Sequence, residues 1–183
     1  STLDRSSAAS DVYKRQVNPM REVPVLLIEG EPIAQSMAIL EFLEDLQPDP
    51  ALLPSTPLGR ARVRQMAEVI NSGIQPIQNL RVMQRLGREF GFEKSQQQDW
   101  SRGWIDYGFE ALHGLVTQYG GRYTYGDDIS YADLCLVPQL YNARRFDVNL
   151  EAYPRLLDIE SRLEGLPAFQ SAHPNQQPDA LIT

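Results

Sequence analysis

The sequence predicts a mostly α chain: a β-hairpin and one helix, a proline-rich stretch, then a region that is helical throughout. Three observations carry this. The apolar run Val25-Leu26-Leu27-Ile28 meets the turn dipeptide Glu29-Gly30 and a second short segment, Pro32-Ile33-Ala34, which is a hairpin pattern. Beyond Pro57, apolar residues recur at three- and four-residue spacings, the period of a helix. Between the two regions, QPDPALLPSTP (Gln47 to Pro57) holds four prolines and reads as an extended linker.

Taken in order, residues 1–16 are polar, rich in Ser and Ala, and without a sustained period. They read as an unrelated or disordered tail. Residues 17–47 carry the hairpin and a helix from Ser36. In that helix Ile39, Leu40, Leu43 and Leu46 form one stripe, and the helix stops before Pro48. Residues 48–56 are the linker, and 57–183 the helical region. Thr56-Pro57 suggests an N-cap with proline at the first helical position. Val63, Ala67, Ile70, Ile74 and Ile77 then point to a helix reaching Gly87, kinked at Pro76, which has no N–H to offer the Ser72 carbonyl. A second helix is expected over about Ser95 to Tyr119, with Trp104, Gly108, Leu112, Leu115 and Tyr119 on one side and Gly120-Gly121 ending it. Ser130-Tyr131-Ala132-Asp133 is a capping-box pattern opening the apolar run Leu134-Cys135-Leu136-Val137-Pro138, the expected buried centre. A last helix starts at Pro154, turns Leu156, Ile159 and Leu163 inward, and stops near Gly165. The tail after Phe169 is polar and proline-containing.

Composition narrows the function classes. With 183 residues, 42% hydrophobic and 22% charged, the chain has an ordinary globular make-up. No run approaches the roughly 18 apolar residues of a membrane span. A net charge of −7 and a pI near 4.8 argue against nucleic acid as a partner. One cysteine and two histidines leave no disulfide framework and almost no basis for a His/Cys zinc site; the cysteine usage suits a reducing, cytoplasmic setting.

Five segments go further: NPMREVPVLLIEG, IAQSMAILEFLEDLQP, INSGIQPIQNL, GDDISYADLCLVPQLYNARRF and AFQSAHPNQQPDA. In this order, from Asn18 to Ala180, the chain resembles the zeta-class glutathione transferases. The resemblance implies an all-helical glutathione-transferase C-terminal domain preceded by a truncated thioredoxin-like β-hairpin and helix. It also implies an activity: glutathione-dependent cis–trans isomerisation of maleylacetoacetate to fumarylacetoacetate. Glutathione would be the cofactor, a small dicarboxylate the substrate, and a homodimer the assembly.

By the same resemblance, Pro24 is cis and exposes the Val23 backbone to the cysteinyl part of glutathione; the plainer reading is a trans proline entering a strand. Gln35-Ser36 holds the γ-glutamyl carboxylate, which agrees with the anion preference of a helix N-terminus; Ser36 alone reads as an N-cap. Gln75 lies near the glutathione pocket, or is a solvated side chain. Arg145 binds a substrate carboxylate, as guanidinium geometry suits, or is a helix-end arginine. Arg144 reads as structural, Asp133 as a cap, and Cys135 as a packing residue. His113 and His173 receive no chemistry. Arg60, Arg62 and Arg64 suit an acidic partner surface or a solvated face.

One departure from the family pattern stands out. The Ser-Ser-Cys motif that activates glutathione is expected ahead of a helix and strand preceding Asn18. Ser6-Ser7 is followed by only 16 residues before Pro24, too few for both elements. No catalytic residue is assigned, and activity is expected to be impaired. The alternative is a non-catalytic helical interaction module or an inactive fragment; Gln35-Ser36 together with Arg145 favours enzyme ancestry.

Overall fold

The computed structural model describes residues 18–177. The readings for 1–16, including Ser6 and Ser7, lie outside the described residues. Contacts divide the chain into two units, Ser1–Ala51 and Leu52–Thr183.

In the first unit, β1 (Val25–Ile28) and β2 (Glu31–Ala34) pair antiparallel, with Val25 opposite Ala34 and Ile28 opposite Glu31. Glu29 and Gly30 both take positive φ, 51° and 89°, the backbone of a tight hairpin turn whose twist matches its strands. Pro32, opposite Leu27, is tolerated because among the described residues β1 and β2 pair only with each other, so each has an edge without a ladder partner. Helix α1 (Ser36–Leu46) follows and contacts β2. The expected apolar stripe is only partly covered: Leu43 and Leu46 stay exposed, since two short strands span little more than a turn or two of helix.

The second unit is helical. It comprises α2 (Pro57–Glu68), a π-helical turn (Val69–Ile74), α3 (Leu80–Phe90), α4 (Lys94–Tyr119), α5 (Tyr131–Arg145), α6 (Pro154–Glu164) and α7 (Pro167–Ala172). Two 3₁₀ turns, Leu150–Ala152 and Pro174–Gln176, complete it. The Thr56 hydroxyl accepts from the Gly59 N–H at 3.1 Å, so the α2 cap is as expected. Its core gathers Met66, Ile70, Ile74, Ile105, Phe109, Leu112, Leu136, Leu140, Leu156, Ile159 and Leu163, all buried. The last three are the inward residues expected of α6. In α4 the buried line runs through Ile105, Phe109, Leu112 and Val116, shifted from the Trp104–Leu115 side that the spacing suggested.

One expectation is corrected. Pro76 does not kink one long helix. The π turn ends at Ile74, a turn covers 75–79, and α3 starts afresh with the Asn79 side chain accepting from the Arg81 N–H at 3.0 Å. A π turn already hands the Gln75 N–H to the Ile70 carbonyl at 2.9 Å, so the missing proline donor falls where the ladder has shifted register. After Gly165 the chain forms α7 and then a 3₁₀ turn, with Pro167 at the first helical position.

Candidate functional site

The register of the hairpin brings four predicted residues together. Because Val25 opposes Ala34, Val23-Pro24 and Gln35-Ser36 leave the ladder side by side, at the end opposite the Glu29-Gly30 turn. The Val23–Pro24 peptide bond is cis, and Val23 is 72% exposed. Among the described residues nothing pairs with its backbone N–H or C=O. This end of the hairpin therefore offers one unpaired peptide unit to an extended partner.

Gln35 sits at φ 78° between β2 and α1, and Ser36 is the first helical residue. Ser36 is thus not the N-cap; Gln35 occupies that position, and among the described residues no side chain caps the helix. The first turn also holds no acidic residue. The N–H groups opening α1 are left to an external acceptor, with the positive end of the helix dipole behind them. Together these features suit a peptide-like molecule that ends in a carboxylate.

Gln75 and Arg145 belong to the helical unit. Gln75 follows the π turn as its C-cap and lines a cleft of about 360 Å³ with Gln78, Asn79, Gln139, Tyr141 and Asn142. Four of these partners are amides, and the sequence reading did not single them out. Gln139 was the available signal: it is a polar residue placed inside an otherwise apolar helical run, and it is fully buried. Such a side chain requires a partner, and it has one in Gln78.

Arg145 closes α5, one helical step of three residues beyond Asn142 and so about 4.5 Å along the axis. It is exposed, and among the described residues its guanidinium has no acceptor. Arg144, by contrast, is committed. It donates to both carboxylate oxygens of Glu160 at 2.7 and 2.5 Å, and Glu160 is 3% exposed. The pair holds the Arg144 guanidinium above its usual pKa through that hydrogen bonding. Two adjacent arginines are therefore separated by geometry, one structural and one available.

The remaining candidates take structural places. Asp133 is buried and accepts from the Ser130 N–H and hydroxyl at 2.8 Å each and from the Thr124 N–H at 3.0 Å. Burial pushes its carboxyl up against the opposing pull of these bonds. Burial likewise drives the Cys135 thiol up to about 12, helped by the charges of Glu68 and Asp133; this is no thiolate nucleophile. His113 packs edge-on to Tyr153, whose hydroxyl donates to the Asp106 carboxylate at 2.5 Å. Arg62 lies over the Tyr119 ring at 4.5 Å and donates to Gln65. Among the described residues no group of three or more His, Cys, Asp or Glu is placed to hold a metal, and no helix is long and apolar enough to cross a membrane.

Family models place these features among known proteins. The model of the glutathione S-transferase N-terminal domain matches residues 4–45, and that of the C-terminal domain residues 87–171. Probable maleylacetoacetate isomerase 2 of Drosophila melanogaster is 47% identical over 165 residues, covering 90% of this chain and 70% of the relative. The holo structure of a maleyl pyruvate isomerase, a bacterial glutathione transferase of the zeta class, superposes with a TM-score of 0.91 at 38% identity, covering 98% of this chain and 85% of that one. The maleylacetoacetate isomerase of Anaeromyxobacter dehalogenans, solved with glutathione in its active site, gives a TM-score of 0.84 at 43% identity, covering 98% and 83%. The same protein has also been solved with dicarboxyethyl glutathione and citrate there. With hairpin, helical unit and relatives in agreement, the chain belongs to the zeta-class glutathione transferases, the group of the maleylacetoacetate isomerases.

Proposed function

We propose that the chain binds glutathione and, with it, isomerises maleylacetoacetate to fumarylacetoacetate. The proposed setting is the cytoplasm, in the breakdown of tyrosine and phenylalanine, and the proposed assembly is a homodimer. The observation that carries the reading is the meeting of Val23-Pro24 and Gln35-Ser36 at one end of the hairpin, beside an uncapped helix N-terminus.

Each residue has a proposed role with which its surroundings agree. The exposed Val23 peptide pairs with the cysteinyl backbone of the cofactor. Ser36 and the free N–H groups of α1 receive the γ-glutamyl carboxylate, because a helix N-terminus lowers the cost of holding an anion. Gln75 contributes an amide from the helical unit. Arg145 holds a carboxylate of the substrate in fork geometry, which a lone ammonium does not supply. The chemistry supplied by bound glutathione is a thiol group for reversible addition across the double bond. These 183 residues contain one cysteine, and it is Cys135. No cysteine is therefore left to match the family's Ser-Ser-Cys motif, and turnover is proposed to be weak relative to binding.

The test is isomerisation of maleylacetone with and without glutathione. Slow turnover that requires added glutathione, with a raised KM in Arg145→Ala, is expected. Turnover that ignores glutathione would overturn the reading.

A further inference from the structure

Two fully formed amides face each other inside the helical unit. Gln78 Nε2 donates to Gln139 Oε1 at 3.0 Å, and Gln139 Nε2 donates back to Gln78 Oε1 at 3.4 Å. The residues are 61 apart in sequence, and are 8% and 0% exposed. Two buried amides are costly unless each satisfies the other, and an apolar pair would fill the same space without that risk. A satisfied buried polar pair confers a fixed geometry rather than net stability.

What it fixes can be read from its neighbours. Gln78 lies three residues after Gln75, in the turn between the π helix and α3. Along the chain the turn is held by Gln75 N–H to the Ile70 carbonyl at 2.9 Å, and by Ile77 and Gln78 N–H to the Ile74 carbonyl at 3.1 and 3.2 Å. From α4, the Trp100 indole donates to the Ile77 carbonyl at 3.2 Å. From α5, the tie is Gln139. Pro76 withholds a donor in the middle of this segment, so the lateral ties carry more of its placement. On α5, Asn142 lines the Gln75 cleft and Arg145 follows three residues later.

We propose that the Gln78–Gln139 pair is a positioning device: it sets Gln75 against α5, and so fixes the spacing between the glutathione contact and the Arg145 carboxylate contact. This rests on the glutathione reading above. Neither residue needs to touch the ligand; both act through Gln75.

The test is calorimetric titration of glutathione into the full chain, with thermal unfolding and hydrogen exchange followed in the same variants. Gln78→Met with Gln139→Met removes both amides at nearly constant volume. Its unfolding midpoint is expected to stay close to the parent's, exchange at residues 75–79 to rise, and the Kd for glutathione to rise by about 3- to 30-fold, which lies within the coupling seen between residues of one network. Gln75→Ala is expected to weaken binding similarly. Adding it to the double Met variant is expected to weaken binding no further. Unchanged Kd and exchange in the double Met variant, or losses that multiply with Gln75→Ala, would overturn the proposal while leaving the glutathione reading intact. If the parent chain fails to bind at all, the glutathione reading falls, and the proposal with it.

Discussion

Gly108 of α4 lies directly against Ile74, the last residue of the π turn: a Cβ built on Gly108 would overlap both Cγ1 and Cδ1 of that side chain. Both residues are fully or nearly buried in the helical core. The missing side chain is what lets α4 approach the segment that carries Gln75.

Gly108→Ala is therefore expected to destabilise the chain by about 1–3 kcal/mol, the usual cost of overpacking a core. The gain in helix propensity, at most ~1 kcal/mol, offsets only part of it. Urea unfolding followed by circular dichroism measures the change. Displacing Ile74 also moves Gln75, so glutathione affinity should fall as well. Gly103→Ala on the same helix, where a Cβ meets nothing within 4 Å, should be neutral or stabilising.

The two neighbouring arginines of α5 should behave as opposites. Arg144→Ala leaves the buried Glu160 carboxylate without its partner, a loss of about 1–3 kcal/mol. That stays below the cost of breaking a wholly buried pair, because Arg144 is half exposed. Arg145→Ala should leave the unfolding midpoint within about 0.5 kcal/mol of the parent. It should raise KM for the dicarboxylate about 10- to 100-fold, corresponding to the loss of a charge-assisted hydrogen bond. Thermal unfolding beside steady-state kinetics separates the two.

Asp133 gives the stability a pH signature opposite to that of an ordinary salt-bridged carboxylate. Burial raises its folded-state pKa above its ordinary value of 3.8, so the native chain binds this proton more tightly than the unfolded chain. Its contribution is then largest at pH below the unfolded value and declines as pH rises through the folded value. In Asp133→Asn that slope should vanish. The difference in unfolding free energy between parent and variant, measured from pH 3 upward, should shift against the parent as pH rises. Asp133→Ala, which removes the acceptor for three donors, should cost about 1–3 kcal/mol at pH 3.

Much of the fold was legible because its signals are local. The hairpin is written in Glu29-Gly30, the α5 start in Ser130 and Asp133, and the α6 core face in Leu156, Ile159 and Leu163. Each lies within a few residues of the element that it specifies. The break after Ile74 was legible only in part: Pro76 marks an interruption, but the apolar spacing runs on to Ile77 and gives no sign of the π turn that ends the helix at Ile74. Ser36 was misplaced by one residue because Ser ranks high among N-caps, whereas here Gln35 at φ 78° takes the position. The amide cleft escaped because Gln78 and Gln139 meet across 61 residues, a pairing that only packing of α5 on the preceding turn creates. The Val23–Gln35 juxtaposition, by contrast, follows from the hairpin register once the turn is known.

Calorimetric titration of glutathione into this chain tests the central claim most directly. Saturable binding to one site per chain is predicted, weakened about 10-fold in Ser36→Ala by loss of a hydrogen bond to a charged group. Binding should be weakened further for a tripeptide that lacks the γ-glutamyl carboxylate. The absence of saturable heat, or equal binding of the peptide without that carboxylate, would contradict the account.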